Sequence, residues 1–97
     1  MTELDDIQPP PDILVRRRWI SGRKVEYARK ADAVMVEHGS IYGGRFYETR
    51  AKARHRARYL IALMVDLRLH EPWELREHVE RTPNGYRWAV EYLGERR

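Results

Sequence analysis

Cysteine is missing from all 97 residues. That absence removes disulfides, zinc–thiolate sites and thiol nucleophiles, and it fits a reducing compartment. Only two serines occur, Ser21 and Ser40, and neither stands in a GxSxG frame. There is no GxxxxGK[ST] and no GxGxxG, so the Gly43-Gly44 pair is read as a turn and not as a phosphate-binding loop. No apolar run approaches the roughly 20 residues that a membrane-spanning helix needs. The first residues carry acid where a secretory leader would carry a basic flank and an apolar run. A cytoplasmic protein that does not enter the membrane is expected.

Chemistry is equally sparse. The four histidines are His38, His55, His70 and His78, with no HExxH pair among them. His70, Glu71, Glu74 and His78 are close enough in sequence to be considered as a carboxylate–imidazole metal set. Surface residues around the Pro72 turn are the plainer reading. No catalytic residue, cofactor or metal is assigned, and an enzyme is not expected.

What the chain has in quantity is positive charge, placed unevenly. The net charge is +4, but residues 1–12 carry −4, residues 13–58 carry +9 and residues 59–97 carry −1. Residues 1–12 also contain Pro9-Pro10-Pro11 and are expected to be a disordered acidic, Pro-rich tail. Residues 13–97 then form one domain, long enough for a modest core that buries about 60% of the unfolded surface.

The longest periodic stretch runs over about 48–70. Gly and Pro are absent from Glu48 to Glu71, and Pro72 forbids continuation. Thr49 or Glu48 can cap its start. Ala53, Ala57, Leu60, Ile61, Met64 and Leu67 recur at three- and four-residue steps, which predicts one long central helix with an apolar stripe. The run Tyr59 to Val65 is apolar throughout, so cover on more than one side is expected there. The first half of the helix is cationic instead. Arg50, Arg54 and Arg58 form one ridge, and Lys52 and Arg56 a second with His55 between them. Like charges at this spacing destabilise a helix by about 0.2–0.5 kcal/mol per pair. Cations near the positive end of the macrodipole add a similar penalty. Only Glu48 and Lys52 make an obvious favourable pair. Either an external anion or acids elsewhere in the fold must meet these cations.

Around this helix the pattern predicts a small, mainly antiparallel sheet, giving an α+β fold. Ile13 to Ile20 reads as a strand ended by Ser21-Gly22. Lys24–Ala28 and Ala33–His38 are read as a hairpin, although Tyr27, Ala31, Val34, Met35 and His38 also fit a helical face. Thr82-Pro83-Asn84-Gly85 is a strong turn signal for a C-terminal hairpin. A turn centred on Asn84-Gly85 would set Val79 opposite Val90 and Arg81 opposite Trp88.

Gly44-Arg45-Phe46-Tyr47-Glu48-Thr49-Arg50, leading into an Ala/Arg helix, resembles the strand-to-helix junction of small DNA-binding domains built from a three-stranded sheet and a helix. The arm-binding domains of phage-type integrases and plant AP2 domains are examples. The resemblance implies a sheet inserted into the DNA groove with the helix behind it. The residues themselves point to nucleic acid on charge and aromatic content. Phosphate contacts are expected from Arg16, Arg17, Arg18, Arg45, Arg50, Arg54 and Arg58, with Trp19 stacking or packing beside them; DNA stands ahead of RNA. The competing reading is a protein-interaction module whose basic face meets an acidic partner. It would self-associate, plausibly as a homodimer, through the Tyr59–Val65 run and the Tyr86/Trp88/Tyr92 face.

Overall fold

A computed structural model describes residues 10–95. In chain order it contains β1 (Ile13–Val15), β2 (Arg18–Ile20), α1 (Gly22–His38), β3 (Ser40–Tyr42), α2 (Arg50–Asp66), a 3-10 turn (Pro72–Glu74), β4 (Leu75–Thr82) and β5 (Gly85–Tyr92). The fold is α+β, with two helices and two antiparallel sheets: the β1–β2 ribbon, and a three-stranded sheet in the order β3-β5-β4. No described helix is long and apolar enough to cross a membrane.

The central helix is present but shorter than the sequence pattern suggested, and it does not stand alone. The Thr49 side chain caps its start by accepting from Lys52 N–H at 3.2 Å. The second helix replaces the hairpin expected over 24–38. Ser21 caps α1 by accepting from Lys24 N–H, and Gly39 closes it at φ 88°, its N–H returning to the Met35 carbonyl. Val25, Ala28, Ala31, Met35 and Val36 are buried at helical spacing, while Val34 faces solvent. The Ala33–Val36 run that looked like a strand is therefore a helical segment with adjacent residues on different faces.

Ile13 to Ile20 is not one strand either. It folds back on itself, pairing Ile13 with Ile20, Leu14 with Trp19 and Val15 with Arg18. Arg16 and Arg17 occupy the two turn positions at φ 50° and 64°. Positive φ at both central residues is the signature of a type I′ turn, whose twist matches the ribbon. Within the segment expected as a tail, Asp12 belongs to the fold, its carboxylate accepting from Gly22 N–H at 2.9 Å. Pro10 and Pro11, in neither helix nor strand, are also described, and residues 1–9 of that expected tail lie outside the described residues.

The C-terminal hairpin forms, with a corrected register. Val79 pairs with Trp88, Glu77 with Val90 and Arg81 with Tyr86, so the turn is centred on Pro83-Asn84, one residue earlier than expected. Proline suits the first central position of an ordinary turn. Thr82 Oγ1 accepts from Asn84 N–H and donates to the Gly85 carbonyl, and Gly85 takes the positive φ of 125°. A two-residue change in pairing leaves every side chain on its expected face. Trp88 and Val90 point into the core.

Two apolar clusters meet on α2. Leu60 and Met64 pack with Ala31, Met35, Leu75, Trp88 and Val90. Leu63 packs with Ile20, Val25 and Ala28, beneath Ile13 and Val15 of the ribbon. Cover on more than one side is thus supplied within a single chain. Met35, fully buried where α1 meets α2 and the sheet, tests this arrangement. Met35→Ala is expected to lower unfolding free energy by about 2–5 kcal/mol, read from the urea midpoint.

Candidate functional site

The cations anticipated as one basic surface divide into two groups along α2. At its C-terminal end, the ribbon arginines turn to an internal acid. Arg18 donates to Asp66 Oδ2 at 3.0 Å, with Arg16 3.9 Å from the other oxygen. Arg58 likewise makes two hydrogen bonds to Glu77 on β4, at 3.2 and 2.9 Å. Arg17 stays exposed at the ribbon turn, and Trp19 stands outward from β2. Arg54 lies about 18 Å along the helix from Asp66 at 1.5 Å per residue, so the ribbon and the start of α2 are separate surfaces.

The second group surrounds the N-terminal half of α2. Here the cations rest on tyrosine rings. Arg45 lies 5.5 Å from the Tyr47 ring centre, and Arg50 5.5 Å from that of Tyr86. Arg56 at 5.0 Å and Lys24 at 5.8 Å share Tyr59. Each such contact contributes about 0.5–1 kcal/mol at an exposed site and holds the cation near an apolar ring. Tyr47 is fixed in turn by paired backbone hydrogen bonds with Tyr86, both 2.8 Å. A cleft of about 520 Å³ between α1 and the 44–47 loop is lined by Tyr27, Arg45, Tyr47 and Arg56.

Acid is scarce on this surface. Lys52 meets Glu48 at 3.8 Å, the favourable pair visible in the sequence. Among the described residues, Lys24, Arg45, Arg50, Arg54 and Arg56 have no carboxylate within ion-pair distance. Of the residues singled out from sequence, Arg45, Arg50 and Arg54 belong to this surface. Lys24, Tyr27, Arg56 and Tyr59 complete it; Arg56 was read as part of the helix's second cationic ridge, but none of the four was expected to contact phosphate. The three-residue steps Lys24–Tyr27 and Arg56–Tyr59 were readable as cation–aromatic neighbours on a helix. The meeting of Lys24 with Tyr59 is tertiary and has no local signal.

The outer face of the three-stranded sheet differs in kind. Arg76 donates to Glu91 at 2.8 Å and Arg87 to Glu80 at 2.6 Å, while Arg87 also lies over Tyr42. Its charges are paired among themselves. Five cations without a carboxylate in ion-pair distance among the described residues, Lys24, Arg45, Arg50, Arg54 and Arg56, lie instead around the first half of α2, which packs on the opposite face of the sheet. No family model matches the chain, and neither a curated protein nor a solved structure is detectably similar to it.

Of the metal set considered from sequence, His70 and Glu74 stay together and His78 stands apart. His78 sits on the outer sheet face near Glu91, at 3.9 Å. His70 turns inward between two carboxylates: Nε2 meets Asp32 of α1, and Nδ1 lies 3.5 Å from Glu74. This imidazole ties α1 to the 3-10 turn beneath Tyr92. No group of three or more metal-binding side chains occurs among the described residues. The Glu74 carboxyl is held below the usual glutamate range, first by the Glu71 backbone N–H and then by His70. A carboxyl depressed in the folded state stabilises the protein above its unfolded pKa, and that contribution is lost as pH falls through the folded value. Glu74→Gln is therefore expected to lower stability at neutral pH and to converge with the parent below the usual glutamate range, as thermal melts across pH would show.

Proposed function

We propose that this chain binds the phosphate backbone of nucleic acid through the surface formed by α1, the 44–47 loop and the first half of α2. One observation carries the reading: cations with no carboxylate in ion-pair distance among the described residues are clustered there, four of them, Lys24, Arg45, Arg50 and Arg56, seated on tyrosine rings. The helix carries them against both their mutual repulsion and its own dipole. A phosphate backbone relieves that repulsion, and rings beside the cations offer faces to bases or sugars. The resemblance to small sheet-and-helix DNA-binding domains pointed to the sheet as the reading surface. The distribution of unpaired charge favours the helix side instead. The self-association reading loses its main support, because Leu60, Leu63, Met64 and Trp88 are already buried within one chain. DNA remains ahead of RNA as the first ligand to test.

Binding of a labelled duplex and a labelled single strand, followed by fluorescence anisotropy, tests the proposal. Engagement of about four cations predicts a slope near −4 for log K against log salt on duplex DNA. The double variant Arg45→Glu/Arg56→Glu is expected to weaken binding more than tenfold and flatten that slope by about 2. Arg76→Glu, on the self-paired sheet face, should leave both unchanged. Absence of binding to either form at low salt would sink the proposal.

A further inference from the structure

The second basic region surrounds a groove of about 790 Å³ between the β1–β2 ribbon, α1 and the exit of α2. Its volume lies within the roughly 300–1,000 Å³ typical of ligand sites. Trp73 forms one wall and is 73% exposed; Leu14 of the ribbon lines another and is 56% exposed. Trp73 is held on a short rigid turn. Pro72 precedes it, and Glu71 and Glu74 cap each other's backbone N–H groups. Its indole therefore stands in water with no covering element among the described residues. Three arginines, Arg16, Arg29 and Arg68, line the same groove against two acids, Asp66 and Glu71. Arg29 and Arg68 have no carboxylate within ion-pair distance among the described residues, whereas Asp66 is engaged by Arg16 and Arg18.

Backbone conformation supplies an independent observation. Among the described residues, Arg16, Arg17 and Arg68 are the non-glycine residues with positive φ, and two of them line this groove. Arg68, at φ 59°, follows the last residue of the α2 cap, with Arg68 N–H bonded to Val65 O and Leu69 N–H to Met64 O. That closing pattern favours glycine, which α1 uses at its own end. Left-handed non-glycine residues persist where another requirement holds them, and they cluster at functional sites.

We infer that this groove is a single-strand subsite, in which a base stacks on Trp73 and the adjoining phosphates meet Arg29 and Arg68. The inference rests on the nucleic-acid reading above but on a different surface, and it names the form of the ligand. An exposed aromatic platform within a basic groove suits unpaired bases. In a duplex the bases are stacked on one another and cannot reach the indole. An acidic peptide would also meet the arginines, but it would leave the indole face without a stacking partner.

The test uses the full chain in a Trp19→Phe background, where Trp73 is the exposed indole and Trp88 is buried. Titration with an oligodeoxythymidine of about eight nucleotides, within the usual site size, should quench the Trp73 fluorescence. Duplex of equal length should quench it little. Trp73→Ala should weaken oligodeoxythymidine binding about tenfold, matching the loss of one stacked base. Arg68→Gly should raise the melting temperature while weakening the oligomer severalfold, and this opposition separates a functional residue from a structural one. Three results overturn the inference: equal quenching by oligoglutamate of matched charge, Trp73→Ala binding like the parent, or an Arg68→Gly variant less stable than the parent. Binding with unaltered Trp73 fluorescence removes the groove and leaves the α2 surface standing. No binding of any nucleic acid removes both.

Discussion

The structure depends on the packing of a single turn of α2, from Leu60 to Met64. Leu60 and Met64 face the three-stranded sheet and the second half of α1, while Leu63 faces the first half of α1 and the ribbon. Each cluster alone is small. Their shared wall lets a chain of this length close two apolar layers around one helix, which is what a domain needs from its secondary structure. The His70 imidazole, set between Asp32 and Glu74, ties α1 to the end of that same wall.

This packing also decides where the charge goes. Toward its N-terminus α2 gives the core only Ala53 and Ala57. Alanine side chains let the sheet approach closely on one side and cover nothing on the others. The remaining positions of those turns are free to be polar, and in this chain they are almost all cationic. Toward its C-terminus the helix is covered from several sides, and the arginines brought there by the ribbon meet Asp66. One helix thus separates an open basic surface from a region where charge is partly neutralised.

Legibility in the sequence followed the range of the interactions involved. The central helix and the C-terminal hairpin were readable because their signals are local: an uninterrupted apolar period, a proline stop, and alternation around a Pro-Asn-Gly turn. Over 24–38 the local signals conflicted, since the Ala33–Val36 run favours a strand while Tyr27, Ala31, Val34, Met35 and His38 fit a helical face. Burial of Met35 and Val36 against α2 and the sheet settles that conflict in favour of the helix. The ribbon was missed because Arg16-Arg17 is a poor match to the glycine- and asparagine-rich turns that mark hairpins. In the candidate surface, Arg45, Arg50 and Arg54 were readable from charge alone. Arg18 and Arg58 were assigned to a ligand because their acids stand 48 and 19 residues away, beyond any spacing rule.

The three left-handed arginines are where sequence reasoning and folding physics part. A side chain in that conformation destabilises by about 1 kcal/mol or more where glycine would not. Solubility does not explain them, because lysine and arginine elsewhere on the surface provide charge in relaxed backbone. Local ion pairing explains only part: Arg16 approaches Asp66 at 3.9 Å, a distance at which an exposed pair contributes little, and Arg68 has no such partner among the described residues. The strain is tolerated because it sits at a ribbon turn and a helix end, where the flanking hydrogen bonds impose the conformation whichever residue occupies it. At Arg16 and Arg68, arginine adds a guanidinium to the groove that also holds the exposed Trp73. For Arg68, where glycine would relieve the strain and no carboxylate stands within ion-pair distance among the described residues, the cost is one that the proposed subsite would account for.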